Sequence, residues 1–247
     1  LIILAARPGM GKTALALNIA SEAGKYSGKS VAVFSLEMSR EQLGMRMIST
    51  ECLVDNKALL TGRINGEDQW NRVAMAVAAL SQTKIYIDDD ATLSVADINA
   101  KCRRIKDLGL VVIDYLQLMT SAGGTQRSGD NRQQIVSDMS RSLKLMAKEL
   151  NVPVLCLSQL SRANESRAQR KPMLSDLRES GAIEQDADIV MFIHRESYYD
   201  DDTENPNIAE CIIAKNRHGE TGSVMLEWRP EYTVFRNLEQ RYDDEDY

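Results

Sequence analysis

A glycine-rich stretch close to the start of the chain, Ala6-Arg-Pro-Gly-Met-Gly-Lys-Thr13, sets the strongest limits on its architecture. The apolar residues before it predict a buried strand, and the spacing of leucine and isoleucine after Gly11 predicts a helix. Strand, loop and helix in this order are the context that a Walker A phosphate-binding loop requires. Backbone N–H groups and the positive end of the helix dipole would then face an anion. We therefore predict a phosphate site here.

The chemistry of this loop follows from the types of its side chains. Lys12 is expected to reach the β- and γ-phosphates of a nucleotide, and the hydroxyl of Thr13 is expected to ligate Mg²⁺. Ala6 stands where the pattern usually has glycine, so we expect a negative φ there, with Pro8 and Gly9 forming the bend. The residues predicted to surround the nucleotide are Arg7, Pro8, Gly9, Met10, Gly11, Lys12, Thr13 and Ala14.

The rest of the chain continues the alternation of strands and helices. Apolar runs at residues 31–35, 84–88, 110–115, 152–158 and 189–193 predict strands, and amphipathic stretches between them predict helices. Two later strands, at residues 208–214 and 223–228, follow an acidic loop without an intervening helix. The pattern indicates an α/β fold: a mainly parallel twisted sheet with helices on both faces and a C-terminal antiparallel extension.

Composition limits the classes of protein to which the chain can belong. The 247 residues are 43% hydrophobic and 27% charged, which is typical of one globular domain. We expect a cytoplasmic protein without membrane contact, because no apolar stretch reaches the ~18 residues of a membrane span. The net charge of −6 argues against general stickiness for nucleic acid, although a local basic surface remains compatible with it. The chain begins without methionine, inside a predicted strand, so we expect it to be part of a longer protein.

Three polar residues at strand ends are candidates for catalytic or metal-binding roles beside the phosphate loop. Asp114 ends the apolar run 110–114 and is the candidate Walker B carboxylate that holds Mg²⁺. Glu37 follows the strand predicted at 31–35 and could polarise a water molecule, or it could equally be a first-turn residue matched to a helix dipole. Gln159 ends the strand after Asp114, where an amide could sense the γ-phosphate.

Several motifs along the chain resemble those of bacterial and phage replicative DNA helicases of the DnaB family. They are Ala6-Arg-Pro-Gly-Met-Gly-Lys-Thr13, Ser35-Leu-Glu-Met38, Val112-Ile-Asp-Tyr-Leu-Gln-Leu118, Leu157-Ser-Gln-Leu-Ser-Arg162, the segment 177–188 and Lys215-Asn-Arg-His-Gly219. The resemblance covers nearly the whole chain and implies a single RecA-like motor domain, residues 1–247, without the family's N-terminal helical domain and linker. It implies a hexameric ring that hydrolyses ATP with Mg²⁺, moves on single-stranded DNA and unwinds duplex at the replication fork.

The same resemblance implies roles for individual residues. Glu37 is similar to the catalytic base and Gln159 to the γ-phosphate sensor. Lys215 and Arg217 resemble the basic pair that reaches the ATP of the neighbouring subunit. A solvated cation pair on a hairpin is the alternative interpretation of these two residues.

Contacts to DNA and to other proteins are also implied. Arg178, Glu179 and Gly181 resemble the loop that grips the backbone of single-stranded DNA, for which a glycine and a cation are suited to phosphate contact. Residues 123–132 and 162–171 could extend that surface or be ordinary solvated loops. The family further implies a primase, a helicase loader and a polymerase clamp-loader subunit as partners.

Two other classes of function are compatible with a RecA-like ATPase domain. A RecA-like recombinase would form an open, ATP-dependent filament on DNA, and a nucleotide-gated ring scaffold would not unwind duplex at all. Segment 177–188 and the Lys215–Gly219 motif favour the helicase over both. Trp70 and Trp228 are expected in the core or at a subunit contact, because no aromatic residue is interleaved with a basic run.

Overall fold

The computed structural model describes residues 1–114, 132–161, 170–200 and 202–238, and at residues 132, 133 and 178–181 only the backbone. Nearly all of the predicted loops 123–132 and 162–171, and the tail from residue 239, lie outside the described residues. The helices are α1 (Lys12–Tyr26), α2 (Arg40–Cys52), α3 (Asn56–Thr61), α4 (Gly66–Ser81), α5 (Val95–Cys102), α6 (Arg132–Leu150) and α7 (Gly181–Asp186). The strands are β1 (Ile2–Ala6), β2 (Ser30–Ser35), β3 (Ile85–Asp88), β4 (Leu108–Asp114), β5 (Val154–Gln159), β6 (Ile189–His194), β7 (Ile208–Asn216), β8 (Gly222–Arg229) and β9 (Val234–Asn237).

These strands form one sheet in the order β3-β2-β4-β5-β1-β6-β7-β8-β9. The pairs from β3 to β6 are parallel, and those from β6 to β9 are antiparallel. The predicted α/β architecture with its antiparallel extension is therefore confirmed. The order also places the carboxyl ends of β1, β2, β4 and β5 along one edge of the sheet, where parallel α/β sheets bind ligands.

Two apolar cores cover the two faces of the sheet. On β1, Ile3 and Ala5 face the core that includes α5, α6 and α7, whereas Leu4 and Ala6 face the core that includes α1 and α2. This alternation is the period of two expected for a strand that is buried on both faces. β1 is therefore packed on both faces, and the loop that follows it begins from a rigidly held strand.

Local sequence signals account for two of the helix starts. The hydroxyl of Ser39 accepts a hydrogen bond from the backbone N–H of Gln42, and the Gln42 side chain accepts one from the backbone N–H of Ser39. Ser94 and Asp97 form the same reciprocal capping box before α5. Each pair satisfies two backbone donors that a helix start otherwise leaves free, which fixes where α2 and α5 begin.

The sequence patterns did not predict α3 or β9, and they treated two tryptophans alike. Trp228 is buried against Phe235 of β9, with ring centroids 4.4 Å apart, whereas Trp70 on α4 is 54% exposed. Trp228 therefore belongs to the core of this chain, and Trp70 does not. β9 escaped prediction because its four residues contain too short an apolar run for periodicity to register.

Candidate active site

The phosphate loop leaves β1 at Ala6 and enters α1 at Lys12. Ala6 is the last strand residue, pairs with Gln159 and has no positive φ, as predicted. Gly9 and Gly11 adopt left-handed conformations, with φ of 77° and 100°. These two glycines, rather than the position of Ala6, therefore form the bend of the loop.

Gly11 is required for a second reason. A Cβ atom at this position would lie 2.7 Å from the Cζ atom of Phe235, closer than real side chains approach. The ring of Phe235 on β9 therefore packs directly against the turn into α1. Met10, between the two glycines, is 1% exposed and anchors the loop in the core. The loop is therefore held by packing on its inner side and at its turn.

Lys12, Thr13 and Asp114 meet beneath the loop. The Thr13 Oγ1 donates a hydrogen bond of 2.7 Å to the Asp114 Oδ2, and the Lys12 Nζ lies 3.6 Å from the Oδ1. Asp114 is 2% exposed, and its Oδ1 accepts no hydrogen bond from the described residues. Such a buried carboxylate oxygen, next to a threonine hydroxyl, supplies the hard oxygen ligands that Mg²⁺ prefers. These residues fit the predicted metal role.

Glu37 and Gln159 lie on the open side of the same cavity, whose volume is about 300 Å³. Both are exposed and line it together with Lys12 and Thr13. Glu37 follows β2, which pairs with β4 so that Ser35 lies opposite Asp114. The phosphate loop, Glu37 and Gln159 therefore converge on one cavity, and Asp114 is joined to it through Thr13 and Lys12.

Arg46 is a residue of this cavity that the sequence analysis missed. It lies on α2 and lines the cavity with Glu37. Burial lowers the pKa of Arg46, whereas the negative charges of Asp114 and Glu37 act to raise it. The signal in the sequence was an arginine on the apolar helix face, adjacent to the buried residues Leu43 and Met47. A cation on a partly buried helix face needs negative charge nearby, and here Asp114 and Glu37 supply it.

Trp228 and Thr233 line the cavity as well. The Trp228 Nε1 and the Thr233 Oγ1 are buried and have no hydrogen-bond partner within the described part of the chain. Arg195 donates a 3.3 Å hydrogen bond to the Gly9 carbonyl, and its guanidinium lies 5.2 Å from the Trp228 ring centroid. Two buried polar atoms, one of them on an aromatic ring, therefore line the cavity beside the phosphate loop, where the sequence predicted a tryptophan in the core or at a subunit contact.

Lys215 and Arg217 lie at the opposite edge of the sheet. Lys215 pairs with Val190, and the backbone N–H of Arg217 donates 2.8 Å to the carbonyl of Asp188. Asp188 is in turn bonded to Leu1, so Arg217 is level with the start of β1. At 3.3 Å per residue the loop after Ala6 is about 20 Å away. The structure thus does not bring Lys215 and Arg217 to the phosphate loop of their own chain.

Arg178, Glu179 and Gly181 lie on a connecting segment before β6. Arg178 and Glu179 are in a 3₁₀ turn, Leu174–Ser180, and Gly181 is the first residue of α7. Their side chains lie outside the described residues. Two flanking side chains, Leu177 and Ile183, are 3% and 0% exposed and fix this segment to the core.

Among the described residues, no helix combines the length and the apolar character that crossing a bilayer needs.

Comparison with known proteins places these features in a family context. The family model described as "DnaB-like helicase C terminal domain" matches residues 1–237. A replicative DNA helicase DnaB from Geobacillus stearothermophilus is 54% identical over 247 residues, which are 99% of this chain and 54% of that protein. A replicative DNA helicase DnaC from Bacillus subtilis (strain 168) is 55% identical over 247 residues, with the same two shares. The chain thus spans about half the length of the curated relatives that it matches.

Solved structures agree with the sequence relatives. One solved structure, an ATPase domain, has a TM-score of 0.90 at 43% identity, covering 96% of this chain and 84% of that one. A DnaB-like replicative helicase, reported with its interactions with primase, has a TM-score of 0.91 at 43% identity, covering 97% and 59%. The RadB recombinase has a TM-score of 0.57 at 17% identity over 97% and 91%, a likeness of fold alone.

Proposed function

The chain belongs to the DnaB-like helicase C-terminal domain family, as its motifs predicted, and we propose that it is the ATP-driven motor of a replicative DNA helicase. The observation that carries this proposal is the convergence of Lys12, Thr13, Glu37 and Gln159 on one cavity, with Asp114 bonded to Thr13 behind it, in a chain of this family. The motor is proposed to work within a longer protein, in the cytoplasm at the replication fork.

In this proposal the loop from Arg7 to Ala14 binds the phosphates of ATP. Lys12 offsets the charge of the β- and γ-phosphates, and the buried polar atoms of Trp228 and Thr233 offer hydrogen bonds to the nucleoside. Thr13 and Asp114 hold Mg²⁺. When bound, Mg²⁺ supplies positive charge that offsets the charge developing on the phosphates. The wall formed by Trp228 and Phe235 keeps the loop in its binding conformation.

Hydrolysis then requires a water molecule to attack the γ-phosphorus. Glu37 accepts the proton of that water as the new oxygen–phosphorus bond forms, and the bond to the β-phosphate oxygen breaks, which releases ADP and phosphate. Gln159 is proposed to respond to the γ-phosphate, and its pairing with Ala6 at the start of the loop supports this role. Arg46 adds positive charge beside Asp114 and Glu37.

Lys215 and Arg217 are proposed to act on the nucleotide of a neighbouring subunit. Their place at the opposite edge of the sheet supports this role, because about 20 Å of β1 separates them from their own phosphate loop. A guanidinium supplied from a neighbour stabilises the transition-state charge only when subunits are stacked correctly. Such stacking is the basis of a homohexameric ring with ATP at each subunit interface.

The segment of Arg178, Glu179 and Gly181 is proposed to contact the backbone of single-stranded DNA in the centre of that ring. Contacts to phosphates rather than base edges suit a motor that passes every sequence. Primase, a helicase loader and a clamp-loader subunit are the proposed protein partners. A solved relative reported with primase supports the first of these.

The test of this function is unwinding of a forked duplex by the full-length protein. We expect ATP-dependent strand separation and particles with six subunits in a closed ring. An open filament without unwinding would instead favour a recombinase, whose fold this chain shares at a TM-score of 0.57 and 17% identity. A closed ring that hydrolyses ATP without unwinding would favour the scaffold.

A further inference from the structure

Lys215 and Arg217 do not point freely into solvent in this chain. The Lys215 Nζ donates a hydrogen bond of 2.5 Å to the carbonyl of Glu184 and lies 3.4 Å from that of Gln185. The Arg217 guanidinium donates to the same Gln185 carbonyl. Glu184 and Gln185 belong to the last turn of α7. The two cations thus bind the carboxyl end of the short helix that begins at Gly181.

This arrangement has a clear physical cause. The last carbonyls of a helix have no partner within the helix and carry partial negative charge, so lysine and arginine stabilise them. α7 has only six residues and therefore few hydrogen bonds of its own. Ile183 and Ala187, both 0% exposed, anchor the helix, and Asp188 after it is bonded to Leu1 and Lys144. Lys215 and Arg217 add the hydrogen bonds that the last carbonyls of the helix receive from side chains.

A nucleotide phosphate on a neighbouring subunit would compete for the same donors. It carries full negative charge, whereas the helix end carries about half a charge. We propose that Lys215 and Arg217 hold the carboxyl end of α7 while they are disengaged, and release it when they bind the neighbour's ATP. This inference rests on the proposed function, because that function supplies the trans role.

Release of α7 by Lys215 and Arg217 would affect the residues at the amino end of this helix. α7 spans about 9 Å from Gly181 to Asp186 at the rise of an α-helix. Residues 178–181, which the proposed function assigns to DNA, lead directly into it. Releasing the carbonyls of Glu184 and Gln185 removes one restraint on α7 and loosens residues 178–181, while the buried Leu177 and Ile183 keep the segment on the core. The nucleotide state at one subunit interface would in this way reach the DNA-contacting segment through a single helix.

Hydrogen–deuterium exchange of the full-length protein tests the proposal, followed in peptides that cover residues 174–188. In the absence of nucleotide we expect Arg217→Ala to exchange about tenfold faster than the wild type in this region, because the helix end loses a charge-assisted hydrogen bond. A non-hydrolysable ATP analogue should accelerate the wild type by a similar factor and should not accelerate Arg217→Ala further. Peptides of α1 should be unchanged by the substitution, which excludes general unfolding.

Arg229→Ala is the matched control. Arg229 lies on β8 and is paired with Glu227 instead of with α7, so exchange in residues 174–188 should stay at the wild-type rate. Equal exchange in Arg217→Ala and the wild type would overturn the proposal, and so would a wild type that does not respond to the analogue. ATP hydrolysis by the same samples distinguishes failure of the trans role from failure of the α7 coupling. Full turnover in Arg217→Ala would remove the trans role itself, whereas lost turnover with unchanged exchange would remove only the α7 coupling.

Discussion

The Thr13 hydroxyl donates a hydrogen bond of 2.7 Å to the buried carboxylate of Asp114, which joins the start of α1 to the end of β4. The second oxygen of that carboxylate accepts no hydrogen bond from the described residues and lies 3.6 Å from the Lys12 Nζ. One side chain therefore contacts both the proposed metal ligand Thr13 and the lysine of the phosphate loop. This relationship makes Asp114 the position from which metal dependence can be tested.

Asp114→Asn should lower ATP hydrolysis by at least about a hundredfold, because an amide gives Mg²⁺ a neutral ligand in place of a charged one. Titration of Mg²⁺ at fixed ATP measures the effect and should show a higher half-saturating concentration than in the wild type. Asp89→Asn, at a partly exposed carboxylate paired with Arg40, is the control and should keep the wild-type Mg²⁺ curve. Identical curves for Asp114→Asn and the wild type would contradict the metal role.

Glu37→Gln should abolish turnover and keep nucleotide binding. The substitution preserves size and removes the group that accepts the proton, a change of about 10²- to 10⁴-fold for a general base. ATP hydrolysis and the affinity for an ATP analogue are measured on the same sample. Glu41→Gln, at an exposed carboxylate in the first turn of α2, should leave both unchanged. Normal turnover in Glu37→Gln would support the helix-dipole interpretation of this residue.

Arg46→Ala should weaken the binding of an ATP analogue about tenfold, since it removes a half-buried positive charge from the cavity. Calorimetric titration of the variant and the wild type gives the difference in affinity. Arg40→Ala, on an exposed arginine of the same helix, is the control and should bind like the wild type. Equal affinity in the two variants would show that Arg46 does not contribute to nucleotide binding.

Gly11→Ala should lower the free energy of unfolding by about 2 kcal/mol, because the left-handed backbone is strained for alanine and the new Cβ meets Phe235. Gly28→Ala separates the two causes. Gly28 has a φ of 67° but no atom of the described residues within 4 Å of the added Cβ, so only the backbone term of about 1 kcal/mol is expected. Urea unfolding measures both. Equal losses of unfolding free energy in the two variants would show that contact with Phe235 adds no cost at Gly11.

The sequence alone predicted the residues whose roles depend on local pattern. Lys12 and Thr13 sit in a strand–loop–helix motif, and Asp114 ends a continuous apolar strand, so their spatial meeting follows from parallel pairing alone. Arg46 and Thr233 escaped prediction because their importance depends on which faces pack together. An arginine on a helix and a threonine before a four-residue strand carry no distinctive local pattern.

The position of Lys215 and Arg217 also required the structure. The sequence placed them on a late hairpin, but only the antiparallel register of β6 with β7 puts them at the edge opposite the phosphate loop. That register turns an implied trans role into a geometric expectation. It also brings the two cations to α7, which no spacing in the sequence indicates.

The trans role can be tested by mixing two inactive variants. Arg217→Ala and Lys12→Ala should each lose ATP hydrolysis, because the first lacks the cation supplied to a neighbour and the second lacks its own phosphate-binding lysine. In a mixed ring, an Arg217→Ala subunit next to a Lys12→Ala subunit has an intact loop and receives an intact Arg217. We therefore expect activity to return after the two proteins are dissociated together and reassembled.

In an equal mixture about a quarter of the interfaces combine the two intact halves if assembly is random, so hydrolysis should recover toward that fraction of the wild type. A mixture of Lys12→Ala with a Lys12→Ala/Arg217→Ala double variant is the control and should stay inactive, because no loop in it is complete. A mixture that stays as inactive as its components would place Arg217 at the ATP of its own subunit or outside catalysis altogether. The sheet register argues against the first of these, since Arg217 is level with Leu1 and its own phosphate loop begins at Arg7.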